Sequence, residues 1–167
     1  MATFRYDGLD EYIKTLQHIG SPQKVRSICG KVIYSGAAVV ADAMRKEIQD
    51  LPTVDHRSRG TPQKQLEGIT TLQKKGLLAG FGISKLQRDD SGYNVKLGFS
   101  GTNQVKTNLY PSGQPNAVIA RSVNDGTSFR KATRFVKKAF KKSKKAAETA
   151  MAEKFGEELD KELQNWD

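Results

Sequence analysis

A single cysteine, Cys29, excludes an internal disulfide and suits a reducing compartment. It falls in an apolar stripe, where it reads as a small packing residue rather than a reactive thiol. Two isolated histidines, His18 and His56, and this one cysteine make no metal site by spacing. Long apolar runs are also missing, so no membrane span is expected. Met1–Asp7 lacks the basic region followed by an apolar one that marks a signal peptide. There is no glycine-rich phosphate loop, no dinucleotide fingerprint and no Gly-x-Ser-x-Gly elbow. Asp89-Asp90 reads as part of a solvated hairpin loop. Glu157-Glu158 reads as part of a charged helix. The expectation is a protein that is not an enzyme, with no catalytic residue, cofactor or metal.

Acids are scarce: 18 against 28 lysines and arginines, for a net charge of +10. Such a balance favours contact with nucleic acid, an acidic protein or a membrane surface, without selecting among them. Much of the excess is local. Arg130, Lys131, Arg134, Lys137, Lys138, Lys141, Lys142, Lys144 and Lys145 follow one another with no acid between them. Glu148, Glu153, Glu157, Glu158, Asp160 and Glu162 come next, relieved by Lys154 and Lys161. This order opposes the helix dipole, so intrinsic helix stability does not explain it. Either it is a polarised solvated face, or the basic end faces something anionic and the acidic end meets a basic neighbour. Aromatic residues for base stacking are not interleaved with the run; Phe129, Phe135 and Phe140 read as core or interface anchors.

Along the chain, Gly8 to Ile19 predicts a short amphipathic helix ending at Gly20. Ser21 and Pro22 predict the N-cap and first turn of a second, long helix. Its stripe runs through Val25, Ile28, Val32, Val39, Val40, Met44, Ile48 and Leu51, beside Gly36, Ala37 and Ala43, and Pro52 ends it. Thr53–Gly68 reads as a long polar surface loop. Leu72–Gly82 is ambiguous between a closing helical turn and an entering strand. Ile83–Leu86 and Tyr93–Phe99 read as strands joined by the hairpin loop Arg88–Gly92. Ser100–Gln114 is polar, with Tyr110–Gly113 as a turn. Asn116–Val123 fits a short helix or a strand. Asn124–Thr127 reads as a turn, followed by a helix from Arg134 to Trp166, about 50 Å long at 1.5 Å per residue. Its apolar positions are Val136, Phe140, Ala147, Met151, Phe155, Leu159, Leu163 and Trp166. That length exceeds what a small domain covers, so part of it is expected to meet another chain.

The expected class is α+β: two N-terminal helices, a small antiparallel β-sheet and a long C-terminal helix. One domain is expected over 1–167, made of a helical part (1–51), a polar loop (52–68), a mainly β part (69–123) and the turn and long helix (124–167).

Three features together carry a resemblance. They are the long early helix Val25–Leu51, the Gly76-Leu77 step leading into strands, and the turn Asn124-Asp125-Gly126-Thr127 followed by Phe135–Phe140. The pattern resembles the neck, or tail-completion, proteins of long-tailed bacteriophages over roughly residues 8 to 165. Proline followed closely by Thr-Gly-x-Leu is usual in that family; here a polar insertion separates Pro52 from Gly76-Leu77, and Lys75 stands where threonine is common. The resemblance implies a structural virion protein at the head–tail junction, present in the host cytoplasm during assembly. It implies a homo-oligomeric ring, such as a hexamer, around the DNA channel. Head-closure or connector proteins and tail-terminator or tail-tube proteins are the implied neighbours, with non-specific DNA contact and no membrane. Gly126 and Thr127 would shape the turn, Phe135 and Phe140 anchor the helix, and the nine basic residues face DNA or an acidic neighbour. The alternative is a small basic protein that binds nucleic acid without regard to sequence, its last helix on the duplex.

Overall fold

The computed structural model of the chain describes residues 2–4, 13, 20–55 and 60–164. Among these, strand β1 covers Ala2–Phe4 and helix α1 covers Pro22–Gln49. Strands β2 (Thr53–Val54) and β3 (Ile69–Thr70) precede helix α2 (Thr71–Gly80). Strands β4 (Phe81–Ile83), β5 (Gln87–Asp89) and β6 (Gly92–Phe99) follow, then helices α3 (Asn116–Asp125) and α4 (Phe135–Gln164). The architecture is mixed helix and sheet, with a small antiparallel sheet and a long C-terminal helix. Of the expected first helix, Ile13 is helical and the remainder of Gly8–Ile19 lies outside the described residues.

The chain forms two compact units. One comprises residues 42–82 and 98–142, the other 2–41, 83–97 and 143–167. Helices α1 and α4 each contribute to both.

In the second unit, β6 pairs antiparallel with β1, Phe4 opposite Val95, and with β5, Arg88 opposite Tyr93. The turn between β5 and β6 is Asp90-Ser91, shorter than the loop expected from the sequence. Ile83–Leu86 is not one strand. β4 ends at Ile83, and the Ser84 hydroxyl accepts from the Lys96 N–H at 2.8 Å. That hydroxyl accepts where a ladder carbonyl would, while the Ser84 N–H still donates to Lys96 O at 2.8 Å. Val25, Ile28, Cys29, Val32 and Ile33 are buried on α1, Val95 and Leu97 on β6, and Ala147 and Met151 on α4. A Cβ at Gly36 would stand 2.5 Å from Met151 Cγ, so glycine makes room for that side chain. Burial pushes the Cys29 thiol up to about 11, as an inert packing residue requires.

In α1, the Ser21 hydroxyl accepts from the Lys24 N–H at 3.5 Å, a weak version of the expected cap. The helix is long and apolar enough, by length and composition, to cross a membrane, which the short apolar runs of the sequence did not suggest. Just over half (56%) of the qualifying stretch is buried inside the protein, as in a core helix.

In the first unit, Met44, Ile48, Leu51, Ile69, Leu77, Ile119, Val123 and Phe135 are buried. Here the expected polar loop Thr53–Gly68 is overturned in part. Thr53 and Val54 pair in parallel with Ile69 and Thr70, and the Ile69 N–H donates to Pro52 O at 2.9 Å. Two-residue strands carry too few positions for an alternating pattern, so only the long-range pairing defines them. Asn116–Asp125 is a helix, which settles the open choice there.

On α4 the buried positions are Phe135, Ala139, Ser143, Ala147, Met151 and Glu158. Val136 is half-buried and Phe140 is 41% exposed, so the first half of the helix is turned by about one residue from the expected stripe. Adjacent apolar pairs at 135–136 and 139–140 leave that phase undetermined by spacing alone.

Candidate functional site

Gly126 ends α3 with φ +80°, and its N–H donates to Ser122 O at 3.1 Å. Residues with a side chain rarely adopt that φ. A Cβ would also stand 2.8 Å from Ala132 N. Thr127 and Arg130 then close a turn: the Thr127 N–H donates to Arg130 O at 2.9 Å, and the Thr127 hydroxyl accepts from the Phe129 N–H at 3.2 Å. The turn is held from outside by a stretch that sequence reading leaves as loop. Gln65 Nε2 donates to Thr127 O at 2.9 Å, the Leu66 N–H to Phe129 O at 2.9 Å, and the Lys131 N–H to Leu66 O at 3.0 Å.

The N-terminus of α4 is fixed by Asn124, whose Oδ1 accepts from the Val136 N–H at 3.1 Å. Arg134, at φ +56°, turns the chain into the helix, and its N–H donates to Asn124 O at 3.0 Å. Phe135 is 1% exposed, with its ring edge-on to Phe99 at 6.2 Å. Phe99 in turn lies 5.1 Å from Phe81, over which the Arg45 guanidinium sits at 5.5 Å. Burial of a phenylalanine contributes roughly 1.5–3 kcal/mol. Phe135 is thus a core anchor, whereas Phe140 keeps much of its surface exposed.

The nine basic candidates separate into three groups. Arg130 is inside the protein: it is 9% exposed, Nη2 donates to Gln73 Oε1 at 3.1 Å, and Nη1 is buried with no hydrogen-bond partner. Burial lowers its pKa. Arg130 is therefore not part of an exposed cationic face. Lys131, Arg134, Lys142 and Lys144 lie at the surface with acid partners. These are Glu67, Asp125 (3.6 Å), Glu47 and Glu148 (3.9 Å). The Lys131 ammonium holds the Glu67 carboxyl below its usual range, and Glu47 raises Lys142. Lys137, Lys138, Lys141 and Lys145 are exposed and have no ion-pair partner among the described residues. Lys137, Lys141 and Lys145 recur every four residues, so the free cations form a strip along one side of α4.

Part of the acidic half is already neutralised within the chain. Glu158, whose side chain is 5% exposed, accepts from Lys31 and lies 3.0 Å from Lys161 and 3.3 Å from Lys154. The Lys31 ammonium holds its carboxyl down to about 2 against the opposing effect of burial. Glu162 pairs with Lys24 at 2.6 Å. The neighbour that the sequence places on another subunit is, for these two acids, helix α1 of the same chain.

Sequence reading missed the residues that hold this region together. Thr70 and Gln73 form a capping box at the start of α2, and Gln73 Oε1 also receives Arg130. Asn103 Nδ2 donates to Leu72 O at 3.1 Å, and Asn116 Nδ2 to Ser100 O at 2.8 Å. Gly76 admits this network: a Cβ there would stand 2.0 Å from Asn103 Nδ2. The Thr-x-x-Gln spacing was a readable signal; the asparagines gave none.

Among the described residues, no group of histidine, cysteine, aspartate or glutamate side chains is placed to hold a metal. No family model matches the chain, and no curated protein or solved structure is significantly similar to it. The fold and the site define an α+β protein with a pinned glycine-threonine turn and a long helix whose first half carries a free cationic strip.

Proposed function

We propose that this protein is a structural component of the head–tail junction of a long-tailed bacteriophage. In this reading it forms a ring around the DNA channel and joins the tail to the head-side connector. The observation that carries the reading is the pinned turn Gly126–Arg130, followed by a buried Phe135 that launches a 30-residue helix. The order of elements supports it: a long early helix, a small sheet, a tight turn and a long last helix. In the ring, Lys137, Lys138, Lys141 and Lys145 face DNA phosphates or an acidic neighbouring ring, because no acid among the described residues pairs with them. Its role is structural rather than catalytic, and it acts in the virion after assembly in the host cytoplasm.

The test is head–tail joining with Lys137, Lys138 and Lys141 changed to glutamate. Joining is expected to be lost while the monomer stays folded. Joining that survives the reversal makes the strip mere solvated surface.

The same four free cations favour a second reading, a nucleic-acid-binding protein without sequence preference. Four phosphate contacts give a plot of log affinity against log salt with a slope of about −3.5. That slope, with no protein partner, would favour the second reading.

A further inference from the structure

Two surface features of the second unit lie outside its buried core. The first is a groove of about 530 Å³ beside α1, where Gly30 and Leu86 meet, with Tyr34, Arg26 and Lys31 around them. Tyr34 is held there by its hydroxyl, which donates to Ser84 O at 3.0 Å. Lys31 is engaged by Glu158, but Arg26 has no ion-pair partner among the described residues, nor has the exposed Lys85 next to Leu86. The groove is mainly apolar, with Arg26 on its wall and Lys85 next in sequence to the lining Leu86, neither of them paired with an acid among the described residues.

The second feature is the outer face of α4. Thr149, Glu153, Gly156 and Asp160 recur at steps of four, three and four, which places them on one side of the helix. Glu153 and Asp160 are exposed and have no ion-pair partner among the described residues. Gly156 lies between them. Glycine weakens a helix interior relative to alanine, and among the described residues nothing beyond the neighbouring backbone of its own helix would stand within 4 Å of a Cβ at this position. Its own fold therefore gives no reason for the missing side chain.

We propose that the Glu153–Gly156–Asp160 face of one copy docks into the α1 groove of a second copy. Gly156 lets the helix approach the wall formed by Tyr34 and Leu86, and Glu153 and Asp160 meet Arg26 and Lys85. The two surfaces differ, so the contact is head-to-tail and repeats around a ring. The inference rests on the self-association in the proposed function and names the faces that make it.

The test uses the full chain in sedimentation velocity over a concentration series. Gly156→Leu puts a better helix former into open space, so the melting temperature should hold or rise while the association constant falls at least tenfold. Two charge-reversed variants, Arg26→Glu with Lys85→Glu and Glu153→Lys with Asp160→Lys, should each stay monomeric. Mixed, they should associate, because each now offers the other a complementary face. If the wild-type chain self-associates and Gly156→Leu or the separate charge variants do so equally well, these faces are wrong and the ring reading stands. If the wild-type chain stays monomeric at every concentration, both fail.

Discussion

Arg130 Nη2 donates to Gln73 Oε1 at 3.1 Å inside the protein, and the same oxygen accepts from the Thr70 N–H at 3.2 Å. One amide oxygen thus closes the N-terminus of α2 and holds a buried guanidinium whose Nη1 has no partner among the described residues. A buried charge with so little compensation costs several kcal/mol, and replacement of such groups by apolar side chains is often neutral or stabilising. Arg130→Met is therefore expected to leave stability unchanged or raise it. Gln73→Ala removes the side-chain half of the capping box and the hydrogen bond that the cation donates to it, and should cost about 1–3 kcal/mol. Urea unfolding of the two variants checks this; equal losses would contradict it.

Gly76→Ala forces a Cβ to within 2.0 Å of Asn103 Nδ2. Asn103 cannot easily retreat, because it is 3% exposed and its Nδ2 reaches Leu72 O and Gln73 O at 3.1 and 3.3 Å. Overpacking at such a site costs about 1–3 kcal/mol. Thermal unfolding should show the loss in Gly76→Ala, and alanine at the unobstructed Gly156 should show none.

Glu158 gives the protein an acid-sensitive clamp. Its folded pKa, about 2, lies below the value of an unfolded glutamate. The folded state therefore binds the proton more weakly than the unfolded state. The clamp contributes in full above about pH 4.5 and is lost as pH falls towards 2. Glu158→Gln should flatten stability across that window. Unfolding midpoints at pH 6, 4 and 2.5 measure it, and an unchanged slope would remove Glu158 from the account.

Lys131 stands next to Arg130 in sequence but at the surface, paired with Glu67. Exposed pairs of this kind contribute little and are screened by salt. Lys131→Ala should leave the unfolding midpoint nearly unchanged, most clearly at high salt. A large loss would mean that the side chain does more than face water.

Helix α1 was legible because Ser21-Pro22 and Pro52 bracket a stripe of which every position but the half-buried Val39 is buried. Strand β6 was legible because Val95 and Leu97 are buried where alternation requires. What was not legible depends on residues far apart in sequence. Pro52 O meets Ile69 N–H, Leu66 meets Phe129, and Arg130 meets Gln73, and none of these leaves a local pattern. Charge was the most misleading signal. Nine basic residues with no acid between them look alike, yet one is buried, four have acid partners at the surface and four have none among the described residues. Only the fold separates them.

The place proposed for the protein is the junction of head and tail. Its most direct test is capture of the tagged protein from phage-infected or prophage-induced cells, with nuclease treatment before mass spectrometry and imaging. Connector and tail proteins should remain bound after nuclease. Recovery of nucleic acid alone, with every partner released by nuclease, would contradict it and leave α4 as a DNA-binding element.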